Sequence, residues 1–242
     1  FLPRHGREHN INPTNINYRA NIDALKQLGV TDIISISAVG SLKKEIKPGS
    51  FVIVNQYIDK TYKRANTFFD KDLIAHVSLS KPNSISLEKA CTEVLTNRGY
   101  EYNKDIIYVA IEGPQLSTIA ESYLHFTQGF DVVGMTNMPE ARIAREAEIR
   151  YQSLGMVTDY DACKIDGDSI DVSKIIEVMK QMTGKAENVI KDLIELFDTY
   201  AIDNDPILTC LDQSIISDLK KVSNETKNDL KFILQRYMAK NN

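Results

Sequence analysis

Residues 17–40 read NYRANIDALKQLGVTDIISISAVG, a helical pattern followed directly by a strand-like run. Between Asn17 and Leu28 the apolar residues recur at helical spacing, and Gly29 follows where a helix end often requires positive φ. Residues 32–36 are rich in β-branched side chains and predict a buried strand, and residues 37–40 predict a tight turn of small residues. Because open α/β sheets bind ligands at the carboxyl ends of their strands, this turn is a candidate site.

The same alternation of strands and helices continues along the chain. Strands are predicted over residues 50–56, 106–111, 131–135 and 153–157, and helices over residues 87–95, 117–127 and from residue 137. This order favours an α/β fold in which a central mixed, largely parallel β-sheet is flanked by helices.

The last third of the chain has a different pattern. Helical patterns cover residues 171–197 and 212–238, with turn residues at 203–206 between them, and no strand candidate remains. We expect the first helix to pack on the sheet, whereas the second is either an oligomerisation element or an exposed amphipathic tail. The sequence therefore predicts an α/β domain over residues 1–200 and a C-terminal helical extension over residues 201–242.

The composition favours small-molecule chemistry. The 242 residues carry a net charge of -4 without clustered Lys and Arg, which argues against a nucleic-acid-binding surface. No apolar run approaches the roughly 20 residues needed to cross a bilayer. Cys91, Cys163 and Cys210 have neither CxxC spacing nor nearby His partners, so neither a zinc site nor a disulfide framework is indicated. We expect a cytoplasmic protein with no metal, whose partners are neither nucleic acid nor membrane.

Cationic and hydroxyl side chains mark a candidate anion site. Arg4 and His5 beside Gly6 suit an oxyanion, because guanidinium offers a planar fork of donors; a solvated basic turn is the alternative. Ser37 and Thr136 stand at the ends of predicted strands, and each hydroxyl either donates to a phosphate oxygen or caps its own turn.

Two acids form a second candidate group. Asp159 and Asp161 follow the strand predicted at residues 153–157, and in an extended stretch both side chains project to the same side. Burial and mutual repulsion can raise one carboxyl pKa there, and a turn or helix-cap role is the alternative. Taken alone, His76 and Met135 are typical of core residues.

Six short segments carry a family resemblance when they are taken in order along the chain. They are residues 1–6 (FLPRHG), 38–41 (AVGS), 112–114 (EGP), 135–136 (MT), 139–140 (PE) and 158–161 (TDYD). Together they resemble the methylthioadenosine phosphorylases of the purine nucleoside phosphorylase superfamily. The likeness runs from Phe1 to about residue 195.

The resemblance implies phosphorolysis of S-methyl-5′-thioadenosine to adenine and 5-methylthioribose 1-phosphate, a pentosyl transfer that serves purine and methionine salvage. Inorganic phosphate is then a co-substrate, and no cofactor is required. Three alternatives remain: a general purine nucleoside phosphorylase acting on adenosine, inosine or guanosine, a nucleosidase that uses water, and a non-catalytic nucleoside-binding protein.

The resemblance also assigns roles to individual residues. The implied phosphate ligands are Arg4, His5, Ser37, the Ala38 backbone and Thr136. Met135 is expected beneath the ribose, and Asp159 and Asp161 are expected to be catalytic and to face purine N7 and the 6-amino edge. An adenine amino group donates hydrogen bonds and favours carboxylates, whereas relatives that take 6-oxopurines usually carry Asn in place of Asp159.

The remaining implied contacts lie around the base and the 5′ end of the sugar. Leu116 stands where the family usually stacks an aromatic ring on the base, and Ser117 matches a position that helps to set substrate choice. The implied apolar wall for the 5′-methylthio group consists of Val172, Ile175 and Ile176. His76 matches a residue contributed to the site of a neighbouring subunit, which implies a homotrimer. The family begins with a strand and a glycine-rich phosphate loop, and the present sequence starts after them.

Overall fold

Helices and strands alternate through the first two thirds of the protein. The computed structural model describes residues 1–162, 172–200 and 205–241. Its strands are β1 (Asp32–Ser41), β2 (Phe51–Asp59), β3 (Tyr102–Ala110), β4 (Val132–Gly134) and β5 (Arg150–Tyr160). Helix α1 (Tyr18–Gln27) precedes β1. The helices between the later strands are α2 (Ile85–Asn97), α3 (Ile119–Thr127) and α4 (Asn137–Glu146). Each element overlaps the one that the sequence pattern predicts, so the α/β alternation is confirmed.

The five strands form one mixed sheet that closes on itself in the order β1-β4-β3-β2-β5. β1 runs parallel to β5, and β3 runs parallel to both β2 and β4. The β1–β4 and β2–β5 pairs are antiparallel. Parallel pairing therefore predominates, as expected where helices connect the strands. The closure of the sheet is not indicated by the sequence pattern.

β1 is longer than predicted, because it includes the residues expected to form a small-residue turn. Its pairing with β5 runs residue for residue from Asp32, opposite Arg150, as far as Val39, beyond which the register shifts. The turn predicted at residues 37–40 is therefore wrong. A continuous parallel partner satisfies the backbone of this segment, and that outweighs the turn preference of its small residues.

Apolar side chains on both faces of the sheet form the core. β2 is fully buried along its first four residues, as expected for a strand that is covered on both faces. One cluster joins the sheet to α1 and α4, and another joins it to α2 and to α5, the helix over Val172–Tyr200. Burial of a large apolar side chain in such a cluster contributes about 1.5–3 kcal/mol. The predicted packing of the first long C-terminal helix on the sheet is confirmed.

The C-terminal segment folds as short elements instead of the long helix predicted over residues 212–238. It contains a 3-10 helix (Pro206–Gln213), α6 (Asn224–Asp229) and α7 (Gln235–Asn241). Ile215 forms a β-bridge with Ala75, and Ser223 caps α6 by accepting a bond from the Thr226 N–H. Five apolar side chains of the segment are buried in the cluster shared with α1 and α4: Leu211, Val222, Leu230, Ile233 and Leu234. Tertiary packing thus overrides the helical periodicity.

Three findings bear on the predictions from composition. Within residues 1–162, 172–200 and 205–241, no helix combines the length and the apolarity that a membrane span requires. In the same described ranges, no group of three or more His, Cys, Asp or Glu side chains could hold a metal ion. The thiols of Cys91 and Cys210 are free, and Cys163 lies outside the described residues. The absence of a metal and of a cofactor stays a prediction.

Candidate functional site

Three strands meet at Gly40, near the C-terminal end of β1. Gly40 lies opposite Val133 of β4 and opposite Asp159 of β5. Because β4 is antiparallel to β1, the residues that follow β4 run back alongside β1, where Ser37 Oγ donates to Asn137 Oδ1 at 3.3 Å. The closed sheet therefore brings the acidic segment and the predicted phosphate-binding segments to one region.

The acid pair packs against Gly40. Asp161 is 3% exposed, and its Oδ2 has no hydrogen-bond partner among the described residues. Asp159 is half-buried, and its Oδ1 accepts a bond from Thr158 Oγ1 at 2.6 Å. A Cβ atom at Gly40 would lie 3.3 Å from Asp159 Oδ2 and 3.4 Å from Asp161 Cβ. Glycine thus leaves room for both carboxyls, and the unpaired oxygen is available to a hydrogen-bond donor.

The environment of Asp159 favours its protonated form. Burial raises the pKa of Asp159, the bond from Thr158 opposes this rise, and the negative charge of Asp161 adds to it. Asp159 therefore holds its proton to a higher pH than a solvent-exposed aspartate does. A partly buried acid that retains its proton is suited to donate it to a basic ring nitrogen.

Arg4 is held against β1 by two contacts. Its Nη1 lies 3.2 Å from Glu140 Oε1, and its Nη2 donates to Ile36 O at 2.8 Å. Glu140 is buried and also accepts a bond from the Tyr151 hydroxyl at 2.8 Å. The Arg4 side chain is only 12% exposed, so a solvated turn does not describe it. The guanidinium is fixed at the Ile36 carbonyl, next to Ser37 in the chain. Its further N–H groups can donate to an oxyanion beside Ser37.

His5 is half-buried beside Arg4. Its Nδ1 lies 2.8 Å from Ile11 O, and because a carbonyl only accepts, Nδ1 carries the proton in that bond. Burial lowers the pKa of His5; the bond to Ile11 opposes this change, and the charges of His9 and Arg4 reinforce it. The neutral ring presents Nε2 as an acceptor, so His5 donates to a phosphate oxygen through Nε2 only after protonation.

Ala38 and Thr136, the remaining predicted phosphate ligands, are held by the sheet. Ala38 is half-buried in β1, opposite Met156 of β5. Thr136 is 5% exposed, and its N–H donates to Tyr108 Oη at 3.2 Å. Tyr108 is fully buried against Gly134. Sequence reasoning missed Tyr108 because an aromatic residue in a buried strand is ordinary for a core.

The segment after β3 packs on Met135, which is half-buried rather than a core residue. Gly113 has a φ of 66°, and a Cβ there would overlap Met135 Sδ and lie 3.2 Å from Met135 Cγ. Glycine is required by both the backbone angle and the close contact. Farther along this segment, Leu116 is 47% exposed, and Ser117 Oγ is buried without a partner in the described part of the chain. A bound ligand could pair this hydroxyl.

Arg64 and Glu112 support the same region. They form an ion pair with 3.0 Å between Arg64 Nε and Glu112 Oε1, and Arg64 also donates to Met135 O at 2.5 Å. These partners lie 48 and 71 positions from Arg64 in sequence. Sequence reasoning missed Arg64 because its polar loop contains no signal of burial.

Four predicted residues lie apart from this cluster or outside the description. His76 is exposed, so its interpretation as a core residue is wrong. Its backbone N–H donates to Ser214 O at 2.8 Å. Ile175 is half-buried and Ile176 is 44% exposed on α5. The side chain of Val172 lies outside the described residues. Among the described contacts, none joins His76, Ile175 or Ile176 to the acid pair, and their roles stay predictions.

A cavity of about 540 Å³ opens beside Arg4 and Glu140 rather than beside the acids. Apolar residues of α1, β1 and α5 form much of its wall. Of the predicted site residues with described side chains, only Arg4 lines it. The cavity therefore adjoins the predicted phosphate end of the site and is distinct from the region around the acids.

Replacing Gly134 by alanine is expected to destabilise the sheet at this site. The added Cβ would overlap the Tyr108 hydroxyl and lie 2.6 Å from Tyr108 Cζ, so the ring must move and release the Thr136 N–H. Overpacking of this kind costs about 1–3 kcal/mol, which lowers Tm by several degrees. Gly184→Ala on α5 is the control, because nothing lies within 4 Å of its Cβ position and alanine favours a helix. An unchanged Tm of Gly134→Ala in calorimetry would contradict this packing.

The chain is similar in sequence to known phosphorylases. The family model of the phosphorylase superfamily matches residues 1–195. A protein of Rhodospirillum rubrum named S-methyl-5′-thioadenosine phosphorylase is 50% identical over 191 residues, which are 79% of this chain and 65% of that protein. The chain thus spans slightly less than two thirds of the length of this relative.

Solved structures are similar over most of the chain. Methylthioadenosine phosphorylase sourced from an antarctic soil metagenomic library has a TM-score of 0.90 and 38% identity, covering 97% of this chain and 82% of that chain. Methylthioadenosine phosphorylase from Schistosoma mansoni in complex with adenine has a TM-score of 0.82 and 30% identity, covering 89% of this chain and 82% of that chain. At 97% coverage, the likeness extends beyond residue 195, where the resemblance in sequence motifs ends.

Proposed function

The chain belongs to the phosphorylase superfamily, and we propose that it catalyses the phosphorolysis of S-methyl-5′-thioadenosine to adenine and 5-methylthioribose 1-phosphate. The activity named for the Rhodospirillum rubrum relative and for the similar solved structures supports this proposal. Both products then enter purine and methionine salvage.

The acid pair at the end of β5 carries the proposal. Asp161 has a buried carboxyl oxygen without a described partner, and the neighbouring Asp159 has a raised pKa. Adenine presents both an acceptor, N7, and a donor, the 6-amino group, on one edge. Protonated Asp159 can donate to N7, and the Asp161 carboxylate can accept from the amino group. A 6-oxopurine would place a carbonyl against that carboxylate, so adenine is the preferred base.

Phosphate is assigned to Arg4, Ser37 and Thr136, which lie along β1 and at the start of α4. Arg4 supplies the positive charge, and the Thr136 hydroxyl supplies a neutral donor. The Ser37 hydroxyl supplies another when its hydrogen turns from Asn137 Oδ1 to the phosphate. Phosphate held beside β1 stabilises the cationic sugar electrostatically as that charge develops. His5 adds a donor when it is protonated, and Ala38 contributes through its backbone.

The reaction replaces one bond at C1′ of the ribose by another. The bond from C1′ to purine N9 breaks with both electrons going to adenine, and a phosphate oxygen bonds to C1′ from the opposite face. Asp159 transfers its proton to N7, which neutralises the charge on the leaving base. Positioning and charge placement supply most of the acceleration, and no metal or organic cofactor takes part.

The 5′-methylthio group is assigned to an apolar wall on α5. Ile176 is 44% exposed and Ile175 is half-buried, so both retain apolar surface that a thioether can cover. Burial of the methylthio group gains about 1–2 kcal/mol, whereas a 5′-hydroxyl would lose its hydrogen bonds to water. Methylthioadenosine is therefore preferred over adenosine. Leu116 is assigned to the base.

The active form is assigned as a cytoplasmic homotrimer. His76 is exposed, which suits a contribution to the site of a neighbouring subunit. On α3, Ile119, Tyr123 and Phe126 recur along one helix face and are 72%, 62% and 46% exposed. An apolar stripe of this kind is typical of a protein interface. The free thiols of the two described cysteines suit a reducing compartment.

The test is adenine release from methylthioadenosine in the presence and absence of inorganic phosphate. We expect release only with phosphate, together with an equal amount of 5-methylthioribose 1-phosphate, because phosphate is the nucleophile. Equal release in phosphate-free buffer would identify a hydrolase instead. Comparable turnover of inosine or guanosine would identify a general purine nucleoside phosphorylase, and binding without release would identify a non-catalytic protein.

A further inference from the structure

Arg64 lies in the loop between β2 and α2, and its side chain is only 1% exposed. Its guanidinium donates to the backbone carbonyls of Glu112 at 2.7 Å, Met135 at 2.5 Å and Met138 at 2.7 Å. It also donates to the Tyr18 hydroxyl at 3.1 Å. One side chain thus joins the segment after β3, the end of β4, the start of α4 and α1.

The Glu112 carboxylate compensates the buried charge of Arg64. Its Oε1 contacts Arg64 Nε at 3.0 Å and accepts a bond from Thr14 Oγ1 at 2.6 Å. Its Oε2 accepts the backbone N–H groups of Tyr62 at 2.7 Å and Lys63 at 3.1 Å. Burial acts to raise the pKa of Glu112, but these bonds lower it to about 2. The ion pair therefore persists at any pH near neutrality.

Two of the carbonyls that Arg64 holds, those of Glu112 and Met135, belong to segments assigned to the nucleoside, and the carbonyl of Met138 belongs to α4. Glu112 begins the segment after β3 that contains Leu116, which is assigned to the base, and Met135 is assigned to the ribose. The phosphate side has separate support, because Arg4 is fixed by Glu140, and Thr136, which lies between Met135 and Met138, is held by the bond from its own N–H to Tyr108 Oη at 3.2 Å. Several carbonyls can be held at once because guanidinium has five N–H groups in a rigid plane, whereas a lysine ammonium has three donors at one point.

We infer that Arg64 is a positioning residue that sets the nucleoside half of the site through the backbone of Glu112 and Met135 and leaves phosphate binding to other residues. The inference rests on the proposed function, because it takes these two segments to be the nucleoside-binding ones. A displacement of about 1 Å at such segments is enough to lower the rate about 100-fold.

The test compares Arg64→Met and Arg64→Lys with the wild-type chain and with Lys63→Met, which removes an adjacent exposed cation. We expect kcat/KM for methylthioadenosine to fall about 10–100-fold in Arg64→Met, through a higher nucleoside KM, while the phosphate KM changes little. The Kd of adenine, measured by isothermal titration calorimetry, should rise in parallel. Arg64→Lys should recover part of the loss because it keeps a charge beside Glu112, and Lys63→Met should match the wild type.

Either of two results would overturn the inference: equal rises in both KM values, or unchanged adenine affinity in the folded variants. A merely structural residue would affect both substrates alike or neither. If the wild type binds adenine but releases none from methylthioadenosine, the proposed function fails and the adenine Kd values alone decide the role of Arg64. If the wild type does not bind adenine, the inference fails as well. Should Arg64→Met not fold, Arg64→Lys carries the same comparison.

Discussion

Asp159→Asn is expected to lower kcat for methylthioadenosine phosphorolysis about 10²- to 10⁴-fold, because an amide cannot transfer a proton to purine N7. The variant should also shift the ratio of methylthioadenosine turnover to inosine turnover toward inosine. The amide has two N–H donors that can pair with N7 and with the purine carbonyl, which offsets the repulsion between that carbonyl and the Asp161 carboxylate. Initial rates with both nucleosides measure the two effects. A variant with wild-type kcat would exclude Asp159 as the proton donor.

The pH dependence of the wild type should follow the same carboxyl. Burial, opposed by Thr158 and reinforced by Asp161, raises the pKa of Asp159, so the reactive proton is lost only as the pH rises through this raised value. Activity should decline on the alkaline side of that pKa. In Asp159→Asn the residual activity should not show this decline. If the pH–activity profile of the variant is parallel to that of the wild type, the alkaline decline belongs to another group.

The stability of Asp159→Asn should change with pH in the corresponding direction. A carboxyl with a raised folded-state pKa stabilises the fold fully only below its ordinary value of 3.8, and this contribution is lost as the pH rises through the raised pKa. Asparagine cannot ionise, so it does not lose this contribution. The difference in Tm, variant minus wild type, should therefore be larger at neutral pH than at pH values near 3.8. Asp105→Asn is the matched control, because this exposed aspartate has a φ of 62°, which asparagine also adopts.

Arg4→Ala is expected to remove most phosphate-dependent activity and to destabilise the fold. Loss of a charged donor to an oxyanion typically costs about 10²- to 10³-fold in rate. The substitution also leaves the buried Glu140 without its cation, which costs about 3–5 kcal/mol. We expect a higher phosphate KM and a lower Tm, measured by steady-state kinetics and calorimetry.

A double variant separates these two effects. In Arg4→Ala combined with Glu140→Gln, no buried carboxylate is left unpaired, and the amide can still accept the bond from the Tyr151 hydroxyl. The Tm should therefore recover in part, whereas the phosphate KM should stay high because no guanidinium is restored. Recovery of phosphate binding together with stability would assign to Arg4 only the compensation of Glu140.

Two sequence predictions about the fold are wrong for the same physical reason. The small residues at 37–40 favour a turn, but β5 pairs with this segment and extends β1 to Ser41. The periodicity over residues 212–238 favours one helix, but its apolar residues are buried against α1 and α4 in several short elements. In both segments, contacts with distant residues outweigh the local preference.

The candidate site was predictable wherever chemistry-bearing residues follow a strand or stand in a recognisable order. Asp159, Asp161, Arg4 and Ser37 all lie in segments that the closed sheet brings together. Arg64 was not predictable, because its partners include backbone carbonyls at distant positions. Every residue type has a backbone carbonyl, so the sequence does not indicate which ones an arginine contacts.

The sequence by itself determined the alternation of helices and strands, the family and the residue types available for anion and purine binding, because periodicity and motif order are properties of the chain alone. The tertiary structure decided the closure of the sheet, the continuation of β1 through its small residues, the burial of Asp161 and the role of Arg64. These features depend on which distant backbone and side-chain groups meet, and the free energy of burial and hydrogen bonding is released only at those contacts.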